Sequence, residues 1–357
     1  MDPLSTKSKE RLSAYAKTAD LTLRKYFEEN KSTPDQSPVF QKVYDHIAEH
    51  CLRGGKRLRG SLIVAGYELF GGTDIDMITK VSIASEIAHT ALLIHDDVID
   101  QDALRRGGIT THQLFAKDSN KEGEASKYHY GESVAICAGD IALLTSPQII
   151  LNSDFPSDLK CKAAVYFLKG LVTTGYGEML DVYLEDLGLA TEEEIKNLHH
   201  LKTGVYTYLN PLGVGAILAG ATDEKVAEFS KYCSLSGVSF QIQDDILGLF
   251  GDEEKMGKSN SSDIKEGKIT LLYLKATEDS KVYERIKQLW GKKDINDAEI
   301  SEVKKIIIDS GSLDYSINLS KRLAQEAVSS LPSNNQYNQG AIDYLKGLAM
   351  YLIDRKL

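Results

Sequence analysis

The stretch that decides the fold is IAHTALLIHDDVID, residues 87–100, in which an apolar run ends in three aspartates. Apolar side chains recur in it at steps of three and four residues, which is the spacing of an α-helix. Asp96 and Asp100 therefore share a helix face, and Asp97 reaches the same edge through its three-residue step to Asp100. Like charges so placed in an apolar helix need compensation, so we predict that the three carboxylates converge on a cation. Oxygen ligands alone favour Mg²⁺.

The helical period extends outward from this stretch through almost the whole chain of 357 residues. No alternating pattern typical of strands competes with it, and the 7 prolines lie mostly near apparent connections. We therefore predict an all-α protein in which residues 1–357 form a single large helical bundle, with residues 1–35 as an N-terminal helical extension. Helices are expected at 8–29, 38–52, 58–70, 77–101, 131–151, 157–186, 192–219, 224–250, 267–278, 282–291, 297–310, 314–331 and 338–354, and a solvated loop at 117–126.

The charge balance and the cysteines exclude several classes of protein. A net charge of -10, from 42 Lys and Arg against 52 Asp and Glu, argues against nucleic acid as a partner. The four cysteines are far apart and show neither metal-ligand spacing nor a secretory framework, so we expect reduced thiols. The N-terminus lacks a signal-peptide pattern, and no unbroken apolar run reaches about 18 residues. The sequence predicts a cytoplasmic protein without a transmembrane segment.

A second acidic motif, FQIQDDILG at residues 240–248, again places two carboxylates inside an apolar helix. If its helix runs antiparallel to the first across a cavity, the two acidic patches face one another. Magnesium binds through a few carboxylates together with substrate phosphates, so such a pair of patches fits a diphosphate. The alternative is a pair of solvated acidic patches. Two such motifs in equally apolar surroundings disfavour it, because buried unpaired charge is costly.

Two cationic motifs complement the acids. GGKRLR at residues 54–59 opens a helix, and RRGG at residues 105–108 follows the first acidic motif. Glycine lets the backbone approach an anion, and arginine binds phosphate oxygens through two parallel hydrogen bonds. Together with the acidic motifs they indicate two diphosphate sites, one bound through metal and the other directly by side chains.

In this order the motifs resemble the trans-isoprenyl diphosphate synthases of the polyprenyl synthetase family. The resemblance runs from Gly54 to about Leu272 and includes Lys202-Thr203-Gly204, Gly257-Lys258 and DIKEGK at residues 263–268. It implies an all-α fold around a central active-site cavity and a homodimer. It also implies a magnesium-dependent prenyltransferase that ionises an allylic diphosphate and joins its cation to isopentenyl diphosphate.

The resemblance also implies roles for individual residues. Magnesium would be held on the allylic diphosphate by Asp96, Asp97, Asp100, Asp244 and Asp245. The same diphosphate would be bound by Arg105, Lys202, Lys258 and Lys268. Isopentenyl diphosphate would be bound without metal by Lys56, Arg59, His89 and Arg106. Thr203 and Gln241 would present oxygen dipoles to the carbocation, and the departing pyrophosphate would accept the final proton.

Some of these residues have simpler explanations. His89 alone is more often a buried core histidine, although it lies two helical turns before Asp96. The Thr203 hydroxyl could bond back to its own helix. The second motif ends in Gly248, where many relatives have a third aspartate. Either Asp245 then matters more or the site is weaker.

Product length is predicted from the helix turns before Asp96, since one turn of about 5.4 Å accommodates roughly one isoprene unit. Ala91 and Leu92 are not aromatic, and Ala88 behind them is small, so this helix does not stop growth at farnesyl length. We therefore expect an all-trans product longer than farnesyl diphosphate, with geranylgeranyl diphosphate first and a longer polyprenyl diphosphate as the alternative.

Two other functions fit part of the pattern. A terpene cyclase shares the first acidic motif but binds no isopentenyl diphosphate, so it does not need the second cationic set. A non-catalytic partner subunit of a heteromeric synthase predicts damaged motifs, and the first acidic motif is complete.

Overall fold

A computed structural model describes residues 2–31, 37–251, 260–333 and 335–354. By contacts the chain forms two compact units. The N-terminal unit consists of Glu10–Val165 and Val214–Gly220. The C-terminal unit consists of Met1–Lys9, Tyr166–Gly213 and Ala221–Leu357. The single domain stays a prediction from the sequence, and each unit is described by itself below.

The N-terminal unit is built on a long apolar helix that neighbouring helices cover. Its elements are α1 (Pro3–Glu29), α2 (Pro38–Leu52), α3 (Leu58–Leu69), α4 (Ile75–Ile99), β1 (Leu104–Arg105), β2 (Gly108–Ile109), α5 (Thr111–Lys117) and α6 (Glu124–Leu151). The Asp74 side chain caps α4 by accepting a hydrogen bond from the Met77 backbone N–H. α4 packs against α3 and α6. Leu23 and Phe27 of α1 are buried in the same core, so the N-terminal helix is an integral part of this unit.

The C-terminal unit is built around a second apolar helix, α11. Its elements are α8 (Glu192–His199), a π-helix (His200–Leu209), α10 (Asp223–Ala227), α11 (Ser230–Phe250), α12 (Ser262–Glu266), α13 (Leu271–Thr277), α14 (Tyr283–Leu289), α15 (Asp297–Asp309), α16 (Ser312–Ser330) and α17 (Gln339–Ile353). α11 packs against the π-helix and α16, and Ile242 and Ile246 lie in the core. Besides α1, the helices α7 (Ser157–Leu187) and α9 (Asn210–Leu218) contribute residues to both units.

The all-α class is confirmed. α1 and α6 begin at Pro3 and Glu124, before the predicted starts at 8 and 131, and the predicted helix 224–250 is divided into α10 and α11. The predicted helix 192–219 is three consecutive segments, because a π-helical stretch separates α8 from α9. The predicted loop at 117–126 is shorter than expected, since α6 begins at Glu124. The sequence reading missed α5, α12 and the short β-hairpin, which contain too few residues for a period to be seen.

Two helices are long and apolar enough to cross a membrane by length and composition. They are α4 and α6, whose most apolar windows are 78% and 39% buried within the protein. A core helix of a soluble protein passes the same test. The absence of a transmembrane segment stays a prediction from the sequence.

Candidate active site

The first acidic motif ends α4, and its three aspartates do not point the same way. Asp97 is completely buried, whereas Asp96 and Asp100 are partly exposed. Adjacent residues of a helix are turned by about 100° from one another. This turn directs Asp97 toward Arg105 and His50. The predicted convergence of three carboxylates is corrected to a pair, Asp96 and Asp100, with Asp97 behind it.

A tight hairpin holds Arg105 against this buried aspartate. β1 and β2 pair Arg105 with Gly108, and the turn residues Arg106 and Gly107 have φ values of 52° and 75°. Positive φ at both turn positions is what a two-residue type I′ hairpin requires. The Arg105 Nε donates to Asp97 Oδ1 at 2.5 Å, and its Nη2 donates to Asp102 Oδ2 at 2.7 Å.

Arg53, which the sequence analysis did not single out, ties this hairpin to the end of α2. Its guanidinium donates to the carbonyl oxygens of Arg105 and Ile109 at 3.2 and 2.8 Å, and it also binds the Glu49 carboxylate. No spacing rule reveals such a contact, because the partners are backbone atoms more than 50 residues away.

The glycine-rich loop and the hairpin bring three of the four predicted isopentenyl diphosphate ligands together. The Arg106 guanidinium donates to the Gly54 carbonyl and lies 3.4 Å from His89 Nε2. A Cβ at Gly55 would lie 3.1 Å from the same guanidinium. Burial, followed by the charges of Arg59, Arg106 and Arg57, holds the pKa of His89 well below its usual value. His89 is therefore a neutral group within a cationic cluster.

Two basic neighbours of Arg59 differ in their surroundings. The Lys56 side chain is exposed on the same loop. Arg57 is buried, has a φ of 53°, and binds the carboxylates of Asp20 and Glu86 at 2.8 and 3.4 Å. Its left-handed backbone turns the side chain inward. Arg57 therefore stabilises the start of α3, while Lys56 is left accessible.

The C-terminal unit contains a polar cavity of about 110 Å³. It is lined by four carboxylates and two ammonium groups, which belong to Asp181, Asp244, Asp245, Asp263, Lys202 and Lys268. Five of these six residues were selected or quoted from the sequence motifs. Asp181 was not.

Lys202 is held by two carboxylates of α7 that the sequence analysis missed. Its Nζ lies 2.7 Å from both Glu178 Oε2 and Asp181 Oδ2. Burial would raise the pKa of Asp181, but the ammonium groups of Lys202 and Lys268 outweigh burial and lower it. The three-residue step between these two acids was a usable pattern, similar to the one that identified the first acidic motif.

A chain of polar contacts crosses the wall of this cavity. Thr203 Oγ1 donates to Gln241 Oε1 at 2.7 Å, and Gln241 Nε2 donates to Asp245 Oδ1 at 2.9 Å. Asp245 Oδ2 in turn lies 3.4 Å from His199 Nε2. Thr203 therefore bonds to a neighbouring helix, and the alternative of a hydroxyl bonded to its own backbone is wrong.

Two glycines allow the helices that carry Thr203 and Gln241 to meet. A Cβ on Gly237 of α11 would collide with the backbone of Gly204 in the π-helix. π-helical segments occur frequently at functional sites, and here the segment contains Lys202 and Thr203. The close backbone approach sets the Thr203 to Gln241 hydrogen bond.

Gly248 is also explained by a close neighbour. A Cβ at this position would lie 3.0 Å from Asp263 Oδ2, and both residues line the cavity. The Asp263 carboxylate thus lies where the third aspartate of the motif would start. Asp263 of α12 therefore places a carboxylate at this position of the second acidic motif, which explains Gly248 without a weaker site.

The donor chemistry of the site fits magnesium. Among the described residues, no three His, Cys, Asp or Glu side chains form a ready-made metal cluster. Magnesium usually binds through one or two carboxylates plus waters and substrate phosphates, so a complete protein cage is not required. The candidate ligands are Asp96 and Asp100 within the N-terminal unit and Asp244 within the C-terminal unit. Lys258 lies outside the described residues.

The residues selected for product length lie on different faces of α4. Ala88 and Ala91 are completely buried, and Ala91 packs in the core of the N-terminal unit. Leu92 is only partly buried and lies one turn before Asp96. Of the three, Leu92 is the one that remains accessible.

We predict that Gly237→Ala lowers the free energy of unfolding by about 1–3 kcal/mol, because its Cβ forces the π-helix and α11 apart. Urea unfolding measures the change. The control is Gly175→Ala in α7, where nothing lies within 4 Å of the added Cβ. Equal stability of the two variants would show that the Gly204–Gly237 approach is not tight.

Comparison with known proteins agrees with these motifs. The model of the polyprenyl synthetase family matches residues 40–307. A geranylgeranyl diphosphate synthase of Sulfolobus acidocaldarius is 32% identical over 319 residues, covering 88% of this chain and 91% of that protein. A geranylfarnesyl diphosphate synthase of Aeropyrum pernix is 30% identical over 306 residues, covering 85% and 91%.

The fold is also similar to solved structures. Geranylgeranyl pyrophosphate synthase from Corynebacterium glutamicum, complexed with isoprenyl diphosphate and magnesium, superposes with a TM-score of 0.84 at 26% identity. The alignment covers 99% of both chains. The family model matches about three quarters of this chain. The chain therefore belongs to the polyprenyl synthetase family and is a trans-prenyltransferase.

Proposed function

We propose that the protein condenses isopentenyl diphosphate with an allylic diphosphate to give geranylgeranyl diphosphate. The observation that carries this proposal is the cluster of Arg59, His89 and Arg106 around the Gly54–Gly55 loop. Arg106 contacts a backbone carbonyl and His89, and the nearby Glu86 carboxylate binds Arg57. Such a cationic site suits a second diphosphate that is bound without metal. A terpene cyclase has no use for such a site.

The side chains divide the reaction between them. Arg105, Lys202 and Lys268 bind the allylic diphosphate, whose C–O bond breaks with the electron pair leaving on pyrophosphate. Asp96 and Asp100, and separately Asp244, are the carboxylates that would hold magnesium, which would neutralise charge on the leaving group. Arg59, His89 and Arg106, with Lys56, position isopentenyl diphosphate, and its double bond forms the new C–C bond.

Thr203 and Gln241 face the positive charge that this step creates. The Thr203 hydroxyl donates its hydrogen bond to Gln241, so the lone pairs of its oxygen can stabilise the allylic cation. The coupled cation then loses a proton to the departing pyrophosphate, which restores a double bond. No side-chain nucleophile is needed.

The product assignment rests on the relatives and on the accessible face of α4. The Sulfolobus acidocaldarius relative is a geranylgeranyl diphosphate synthase, which supports the proposed product. The Aeropyrum pernix relative is a geranylfarnesyl diphosphate synthase, which supports the alternative of a longer product. Leu92, on the accessible face, is not an aromatic block like that expected in farnesyl synthases.

Purified protein incubated with labelled isopentenyl diphosphate, magnesium and farnesyl diphosphate should give geranylgeranyl diphosphate, sized as the alcohol after dephosphorylation. Leu92→Phe should shift the product toward farnesyl, because a ring one turn before Asp96 shortens the space for the chain by about one isoprene unit. Leu92→Met, which is similar in volume, is the control. Farnesol as the sole wild-type product would contradict the assignment, and no incorporation with any primer would favour a partner subunit.

Restoring an aspartate to the second acidic motif should harm the enzyme. In Gly248→Asp a new carboxylate competes with that of Asp263 at contact distance, and the repulsion costs about 1 kcal/mol or more, which lowers turnover at least several-fold. Gly248→Ala, which adds the Cβ without charge, should be much less affected. Steady-state rates at saturating substrates measure both variants. Faster turnover of Gly248→Asp would mean that the motif is incomplete without its own third aspartate.

We also propose a homodimer, formed through α7. Large apolar side chains are exposed along this helix at steps of three and four residues, at Leu168, Val172, Tyr176, Met179 and Tyr183. A continuous exposed apolar stripe is typical of an interaction surface, and the homodimer implied by the family resemblance supplies the partner, a second copy.

The proposed cytoplasmic location is supported by four cysteines that are all free thiols.

Sedimentation analysis tests the dimer. The wild type should sediment as a dimer and Met179→Glu as a monomer, because a carboxylate in the centre of the stripe is not solvated when the stripe is covered. Lys321→Gln on α16 changes the net charge equally at an exposed position and should remain dimeric. An unchanged mass for Met179→Glu would place the interface elsewhere.

A further inference from the structure

The second aspartate of each acidic motif uses its two oxygens in the same way. Asp97 Oδ1 accepts from Arg105 Nε at 2.5 Å, and its Oδ2 lies 3.6 Å from His50 Nε2. Asp245 Oδ1 accepts from Gln241 Nε2 at 2.9 Å, and its Oδ2 lies 3.4 Å from His199 Nε2. In both motifs one oxygen thus holds a residue assigned to the substrate, and the other faces a histidine.

The two arrangements are independent of one another in the chain. His50 is on α2 and faces α4 within the N-terminal unit, whereas His199 ends α8 and faces α11 within the C-terminal unit. Neither histidine belongs to a motif quoted from the sequence. A chance contact has no reason to recur at the corresponding aspartate of both motifs.

All four groups are removed from solvent. The side chains of His50 and Asp97 are 0% exposed, and those of His199 and Asp245 are 6% and 12% exposed. Among the described residues, neither Asp97 Oδ2 nor Asp245 Oδ2 makes a hydrogen bond. A buried carboxylate oxygen without a hydrogen-bond donor is costly, and the imidazole Nε2 that faces it at 3.6 or 3.4 Å is close enough to stabilise it electrostatically.

The surroundings of the histidine in the first pair favour its neutral form. Burial, only partly offset by Asp97, lowers the pKa of His50. A neutral imidazole carries one N–H, and placing it on Nε2 aims a donor at the carboxylate. The dipole of this N–H, and not a positive charge on the ring, then stabilises the carboxylate.

We propose that His50 and His199 are positioning residues, each of which fixes the second aspartate of an acidic motif and, through it, Arg105 or Gln241. This inference rests on the function proposed above. It assigns Asp97 and Asp245 to the support of substrate-facing side chains and leaves metal binding to the neighbouring aspartates.

The two histidines should affect different steps of the reaction. Arg105 binds the allylic diphosphate, so loosening it weakens substrate binding. Gln241 accepts a hydrogen bond from the Thr203 hydroxyl and thereby orients its lone pairs, so loosening Gln241 slows the chemistry of the bound substrates. His50 therefore acts on KM and His199 on kcat.

The test compares leucine and glutamine at each position, because the Nε2 of glutamine preserves an N–H near the imidazole Nε2 whereas leucine removes it. His50→Leu should raise the KM for the allylic diphosphate about tenfold, the low end of what supporting residues contribute, with the KM for isopentenyl diphosphate unchanged. His199→Leu should lower kcat about tenfold with both KM values unchanged. Both glutamine variants should stay within about threefold of wild type.

Two further measurements separate positioning from folding and from the proposed function. In a double-mutant cycle, adding His50→Leu to Arg105→Met should cause little further loss, since His50 acts through Arg105. Calorimetry of inorganic pyrophosphate with magnesium should show about tenfold weaker binding to His50→Leu and unchanged binding to His199→Leu. This readout needs no turnover, so it remains informative if the wild type lacks the proposed activity.

The proposal is overturned if glutamine is as damaging as leucine, or if both leucine variants change kcat and KM alike. Additive effects of His50→Leu and Arg105→Met would also contradict it. A wild type that binds pyrophosphate as expected but forms no prenyl product would contradict the proposed function alone.

Discussion

The structure depends on one constraint, which is that a carboxylate inside an apolar helix must find a partner. Asp97 and Asp245 meet this constraint within the protein, through Arg105 and Gln241. Each lies beside an aspartate, Asp96 or Asp244, to which the proposed function assigns ligand binding. In each motif the second aspartate thus organises the protein, and we propose that its neighbour binds substrate-bound metal; the 100° turn between adjacent helix residues separates the two.

Close backbone approach then sets the geometry of the substrate groups. Gly237 brings α11 against Gly204 so that Thr203 reaches Gln241, and Gly55 leaves room for the Arg106 guanidinium. Gly248 leaves room for the Asp263 carboxylate in the same manner. Glycine is needed at these positions because it has no Cβ. A Cβ at Gly237 would collide with the Gly204 backbone, and one at Gly248 would contact the Asp263 carboxylate.

The all-α fold could be predicted from the sequence because apolar periodicity is a local property that the chain displays throughout. The clustering of Arg59, His89 and Arg106 followed from motif order and family resemblance. The support around the site could not be predicted in this way. Three of its contacts join segments that are distant in the chain, so the spacing of nearby residues does not predict them. They are those of Glu178 with Lys202, Arg53 with the hairpin, and Asp263 with Gly248. The direction of Asp97 was missed because a helix-face argument counts positions but does not show which face meets a neighbouring helix.

The central claim is that the two substrates are recognised by different chemistry, isopentenyl diphosphate by side chains alone and the allylic diphosphate through magnesium as well. Calorimetry of isopentenyl diphosphate with the metal-free protein, in the presence of EDTA and again with magnesium, tests it most directly. The account predicts one site per chain with the same affinity under both conditions, because Arg59, His89 and Arg106 need no metal. Binding that appears only after magnesium is added would contradict it.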